Sequence, residues 1–210
     1  MRFNLKNIVF VVVYVLTAVA LIFYFTEIPI SLKTPKNNYA AIAIRDNVSN
    51  LEKNGSLVFT QAYLNKKYKH NIYFTQSFRE DKKQQFIDSL KMFLSKFEKV
   101  DVYLLAHHNY YYNWFQGIDA EALSHLNLVY NTGCGNAADS LIYKNLGAKY
   151  YIAHSGKKSI SPIFYFYFLR RLDVTNHPKQ ATAQANRQLL KVLKFLRISN
   201  EIEEHEGTIY

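Results

Sequence analysis

Five short apolar runs, separated by polar or helix-patterned stretches, constrain the fold of this chain more than any other feature. They are Tyr39–Ile44, Asn71–Gln76, Val102–Ala106, Leu126–Tyr130 and Lys149–Ala153. Runs of this length bounded by polar residues read as buried strands. Between the second and third, Phe86, Ile87, Leu90, Phe93, Leu94 and Phe97 recur at helical spacing, and Lys82, Lys83, Gln85, Lys91 and Lys96 avoid that face. Ser77 with Glu80 has the form of a capping box at the start of this helix. Ala137–Leu146 predicts a helix stopped by Gly147, and Pro162–Leu172 a helix opened by its proline. After the break at Asn176–Pro178, Ala181–Leu196 reads as a basic amphipathic helix. Asn47–Lys69 is ambiguous: Leu51, Val58, Ala62 and Tyr63 partly suit a helix, whereas Gly55 and the β-formers of 58–60 argue against one. Strands alternating with helices predict an α/β fold with a mostly parallel sheet covered on both faces.

The 210 residues suit one domain of ordinary size. It is expected over 39–199, with a polar stalk over 26–38 before it and an acidic, frayed tail over 200–210 after it. Ahead of the stalk, a short cationic N-terminus (1–7, with Arg2 and Lys6) precedes Ile8–Phe25, eighteen residues without a charge. A helix of that length spans roughly 27 Å, close to the hydrocarbon thickness of a bilayer. A transmembrane anchor is therefore expected over 8–25. Ala18-Val19-Ala20 has the form of a signal-peptide cleavage site, but the apolar run continues past it, which favours an uncleaved anchor. The cationic start leans towards a single-pass protein with its domain on the outer face. The formal charge of +10 comes from dispersed Lys and Arg, not from blocks, so it points to a membrane surface and not to nucleic acid. The oligomeric state is left open.

In a parallel sheet, ligands bind outside the carboxyl ends of the strands. Val102–Ala106 runs directly into His107 and His108, and Leu126–Tyr130 leads to Cys134, the one cysteine of the chain. A thiol needs a base or a positive neighbour to become a nucleophile, and a histidine on the adjacent strand end would supply it. Gly133 and Gly135 flank the cysteine and would let backbone amides approach a developing oxyanion, with those of His108–Asn109 opposite. The competing reading is a buried structural cysteine with two loop histidines. A nucleophile elbow fits poorly, because Thr132 and Asn136 stand where its glycines belong. His107, His108, His125 and Cys134 show no metal-ligand spacing, so no metal is assigned. Trp114, within the aromatic run that follows the histidines, and His154 with Ser155 after the fifth strand are candidates for a substrate pocket wall; core packing is an equal reading for Trp114.

At these residues a family resemblance becomes visible. DVYLLAHHN, from Asp101, resembles the strand of caspase-like cysteine peptidases (the CHAT, gingipain, legumain and caspase group) that ends in the catalytic histidine. LNLVYNTGCGNA resembles the companion strand that ends in the catalytic cysteine. GAKYYIAHSGKKSISPIFYFYFLRRL resembles the strand and helix that follow. The order of elements agrees over Tyr39–Leu172. The resemblance implies a caspase-like three-layer α/β/α fold, here preceded by one transmembrane helix. It implies a membrane-anchored cysteine peptidase that cleaves peptide or protein substrates without a cofactor. Cys134 would be the nucleophile and His108 the base, with His107 as the fallback register. The residue after the family's histidine is Gly, whereas Asn109 stands here. The alternative that this departure implies is a catalytically inactive caspase-like module that binds protein at the membrane.

Overall fold

The structure, a computed structural model, describes residues 36–107, 111–156, 161–196 and 206–210, together with 13, 14 and 17. Six strands form one sheet: β1 (Lys36–Arg45), β2 (Tyr68–Thr75), β3 (Lys99–Leu105), β4 (Leu126–Asn131), β5 (Tyr150–Ala153) and β6 (Thr208–Ile209). Their order is β2-β1-β3-β4-β5-β6, and every pairing is parallel except β5 with β6. The helices are α1 (Asn50–Lys67), α2 (Lys83–Lys96), α3 (Ala120–Leu123), α4 (Ser140–Asn145), α5 (Ser161–Thr175) and α6 (Pro178–Phe195).

Strand side chains alternate between the two faces of a sheet, and here both faces are buried. Ile42, Ile44, Val102, Leu104 and Val129 face a core closed by Phe86, Leu90, Phe93 and Leu94 of α2, with Trp114, Leu123 and Tyr143. Their neighbours Ala41, Ala43, Tyr103, Leu105, Leu128 and Tyr130 face a second core closed by α1, α5 and α6. The three layers follow directly from that alternation. Each of the four buried α2 side chains contributes about 2 kcal/mol of transfer free energy, so α2 is held by its apolar face.

Its start differs from the expected capping box. The Ser77 hydroxyl does accept from the Glu80 amide, at 3.1 Å, but this closes a turn ahead of the helix. The N-terminal amides of α2 are met instead by Gln76 Oε1, from Lys82 N, and by Asp81 Oδ1, from Lys83 N. The ambiguous stretch becomes α1. Its Tyr63 and Leu64 are buried against the sheet, and no atom lies within 4 Å of the Cβ position of Gly55, so packing outweighs local propensity. Ala137–Leu146 opens as a 3-10 turn (Asn136–Asp139) and becomes α-helical only over α4. Gly147 follows with φ +98°, and a Cβ there would stand 2.9 Å from the Leu123 carbonyl oxygen, so the stop at that residue is steric as well as conformational.

Three expectations are corrected. Among the described residues no helix is long and apolar enough to cross a membrane, against the transmembrane helix expected over Ile8–Phe25. The longest helices, α1 and α6, carry lysines or arginines along their length and pack one face on the sheet. Of 8–25 only residues 13, 14 and 17 are described; the rest of that expectation, like the cationic start 1–7, lies outside the described residues. The stalk expected to reach residue 38 is already strand from Lys36. The tail expected to fray ends in order: Thr208 and Ile209 pair with Ala153 and Ile152, and Glu206 is 6% exposed.

Candidate thiol–imidazole site

Parallel pairing of β3 with β4 sets Leu104 opposite Asn131. Just past the strand ends, Thr132 fastens the two together. Its amide donates to Leu104 O at 2.9 Å, and its hydroxyl lies 3.3 and 3.4 Å from the carbonyl oxygens of Leu104 and Ala106. One residue beyond Ala106 is His107, and two beyond Thr132 is Cys134; both are exposed. The two line one cleft of about 280 Å³ at the carboxyl edge of the sheet. Arg45, Ala106 and Thr132 share it, and Phe59 of α1 with Tyr165 and Phe166 of α5 add aromatic rings to a mostly apolar lining. A concave, mostly apolar site with a few polar groups is the usual form of a small-ligand or side-chain pocket.

The cysteine turn is built tightly. Asn131 Oδ1 accepts from the Gly133 amide at 3.0 Å and from Asn136 Nδ2 at 2.6 Å. A Cβ on Gly133 would fall 2.0 Å from Asn136 Nδ2, so only glycine fits beneath that amide. Gly135 takes the left-handed conformation, φ +71°, and its amide donates to Gly156 O at 3.1 Å. Ala137 N donates to His154 O at 3.3 Å, and the Tyr151 hydroxyl to Asn136 O at 2.9 Å. The amides of Gly133 and Gly135, expected to face an oxyanion, are thus both engaged inside the fold. Among the described residues the Cys134 amide has no hydrogen-bond acceptor, which leaves it as the donor this turn can offer.

The histidine segment is anchored by a residue that the sequence did not single out. Asp46, one position past β1 and 4% exposed, accepts from the His107 amide at 2.6 Å through Oδ2. Its Oδ1 accepts from the hydroxyl of Tyr111, which is fully buried. One carboxylate therefore holds both ends of the segment 107–111. His108, Asn109 and Tyr110 lie outside the described residues; of the two histidines, His107 is described, and it lines the cleft with Cys134. Arg45 is the second unforeseen member. Its Nη1 donates to Leu105 O at 3.0 Å, its buried Nε has no acceptor, and no carboxylate pairs with it. The one local signal for either residue was an Arg-Asp pair directly after the first apolar run.

The proposed pocket walls lie elsewhere. Trp114 is 5% exposed and packs edge-on against Phe86 and Tyr111 in the core beneath α2. His154 is fully buried. Its Nε2 stands 3.0 Å from the Tyr130 hydroxyl, and its Nδ1 lies 2.8 Å from Glu206 O and 3.1 Å from Glu206 Oε1. Ser155 is exposed but does not line the cleft. Tyr130 in turn stacks on Tyr165, ring centroids 5.1 Å apart, so one aromatic layer separates His154 from the cleft. Burial pushes the phenols of Tyr130 and Tyr165 well above the usual tyrosine range, and both stay neutral. His125 precedes β4, with Nδ1 2.7 Å from Phe97 O. A strand length, about 20 Å, separates it from Cys134. Among the described residues no three His, Cys, Asp or Glu side chains converge as metal ligands would.

Neither the family models nor the curated proteins with which the chain was compared include a match to it.

Proposed function

We propose that this cleft is the active site of a cysteine hydrolase acting on acyl compounds, most simply a peptidase of the caspase-like kind that the sequence resembles. The observation that carries the reading is the shared cleft: His107 and Cys134, the ends of two adjacent parallel strands, line it together. In this scheme the imidazole of His107 takes the proton of the Cys134 thiol, and the thiolate attacks the substrate carbonyl carbon. The Cys134 amide donates to the resulting oxyanion. Collapse of the tetrahedral intermediate breaks the bond to the leaving amine, which takes the proton back from the imidazolium. Water, deprotonated by the same imidazole, then hydrolyses the thioester and frees the thiol.

The test is covalent labelling of the full chain by a peptidyl acyloxymethyl ketone, read by intact mass. One adduct on the wild type, none on Cys134→Ala and a strongly slowed reaction on His107→Ala is the expected pattern. Loss of labelling with His108→Ala but not with His107→Ala would move the base one residue on, to the register the family resemblance prefers. Adduct formation on Cys134→Ala would sink the reading. A second reading has its own support: with the Gly133 and Gly135 amides engaged, the oxyanion has fewer donors than the sequence promised, as suits a protein-binding module without activity. That module would bind its partner equally well after Cys134→Ala.

A further inference from the structure

The thiol cleft carries a charge that the hydrolytic steps do not use. Arg45 ends β1, and strand alternation turns it to the face of Ala41 and Ala43, where α1 and α5 cover the sheet. Its Nη1 donates to Leu105 O at 3.0 Å, whereas Nη2 makes no hydrogen bond and keeps accessible surface. Among the described residues no carboxylate lines the cleft. Asp46, next in the chain, is turned to the His107 amide and the Tyr111 hydroxyl. The hydroxyls of the wall are already engaged: Ser56 lies 3.1 Å from the Tyr73 hydroxyl, Tyr165 lies 3.1 Å from Thr60 Oγ1, and Thr132 faces the strand carbonyls. Arg45 is thus the unspent charge of this lining.

The room beside it comes from Gly55, which stands inside α1 and lines the same cleft. Glycine in a helix interior is unfavourable relative to alanine. Gly55 does not have a left-handed φ, and no atom lies within 4 Å of its Cβ position, so neither the backbone nor a neighbour demands it. What its missing side chain leaves is space in the cleft. A guanidinium held through one nitrogen and open at the other, between apolar walls, is complementary to a carboxylate.

We infer that the cleft selects ligands that carry a carboxylate, which Arg45 receives in the space left by Gly55. This rests on the hydrolase reading for the part played by the thiol, whereas carboxylate binding needs the cleft alone. The same chemistry is available from an acidic side chain and from the free carboxyl end of a peptide or other acyl compound.

The test is protection of Cys134, the one cysteine of the chain, from iodoacetamide, read by intact mass on the full chain. Three probes are compared: acetyl-glutamyl amide, whose one carboxylate is on the side chain; acetyl-leucine, whose one carboxylate is terminal; and acetyl-glutaminyl amide, which is neutral. At least one acid should protect at a concentration about thirtyfold or more below that of the neutral amide, as expected for a charge pair in a desolvated site. Protection by the first acid assigns an acidic side chain, and by the second a terminal carboxylate. Arg45→Gln should bring acids and amide to within about threefold of one another. Gly55→Glu sets a carboxylate of the chain's own in the cleft on a better helix former, and should do the same, which keeps the test open if Arg45→Gln does not fold. No protection by either acid, equal protection by the neutral amide, or an acid preference kept in Arg45→Gln would overturn the inference. Acid protection that is lost in Arg45→Gln, in a protein that no acyloxymethyl ketone labels, would uphold the carboxylate site and strike the hydrolase reading instead.

Discussion

Two histidines stand at the carboxyl ends of strands in the same parallel sheet, and they have opposite fates. His107 follows β3 and is exposed beside a thiol; His154 follows β5 and is sealed. Position in the topology is nearly the same. The difference lies in what covers each end. Over β5 the chain returns at its C-terminus, pairs as β6 and lays Glu206 on one nitrogen of His154, with Tyr130 on the other. Over β3 and β4 nothing described covers the cysteine turn, and α1 and α5 leave a cleft between them. Among the described residues, a strand-end histidine is therefore sealed or left accessible according to what packs over it.

The first way to break that comparison is to truncate the sealed member. His154→Ala empties a fully buried site and takes from Tyr130 and Glu206 their contacts with the ring, and urea unfolding should show a loss of about 2–3 kcal/mol, against under about 0.5 kcal/mol for the exposed His107→Ala. Equal losses would mean that the lid over β5 is not what distinguishes them. Asp46→Ala comes next. It removes the acceptor of the His107 amide and the Tyr111 hydroxyl, and should cost about 1–2 kcal/mol while also slowing thiol labelling. A stability loss with labelling unchanged would show that the clamp serves the fold alone. Gly133→Ala drives a methyl into Asn136 and should cost about 1–2 kcal/mol, visible as a lower Tm.

The smallest effect lies far from either histidine, at Asp81. The Gln76 side chain, then the Lys83 amide, hold its carboxyl below the usual aspartate range. A depressed carboxylate adds stability above its unfolded pKa and loses it as pH falls through the folded one. Since Asp81 is exposed, Asp81→Ala should cost only a few tenths of a kcal/mol near neutral pH, and that gap should close as pH falls below about 4. Comparing urea midpoints of the two proteins across acid pH checks it.

Much of the fold was legible in the sequence because burial leaves a period. Ile42 and Ile44 against Ala41 and Ala43, or Phe86 and Leu90 against Lys83 and Lys91, write the sheet faces and the α2 stripe directly into the chain. β6 was not legible: two residues in a glutamate-rich end carry no pattern, and only the open edge of β5 makes a strand of them. α1 was obscured by Gly55 and Val58, which packing overrides. Cys134 and the histidine pair could be singled out because strand ends in a parallel sheet are where ligands bind, and Cys134 and His107 do line one cleft there; His108 lies outside the described residues. Asp46 and Arg45 could not, since nothing local says which polar residue after a strand will turn towards a neighbouring loop. His154 was misplaced, and Trp114 took the core reading of its two, for the same reason: an aromatic or a histidine looks alike in a core and in a wall.

The central claim is that His107 acts on Cys134, and the direct measurement is the rate of Cys134 alkylation by iodoacetamide at neutral pH in the wild type and in His107→Ala. The imidazole should make the wild-type thiol react about tenfold or more faster than the variant's. Equal rates in the two proteins would contradict it.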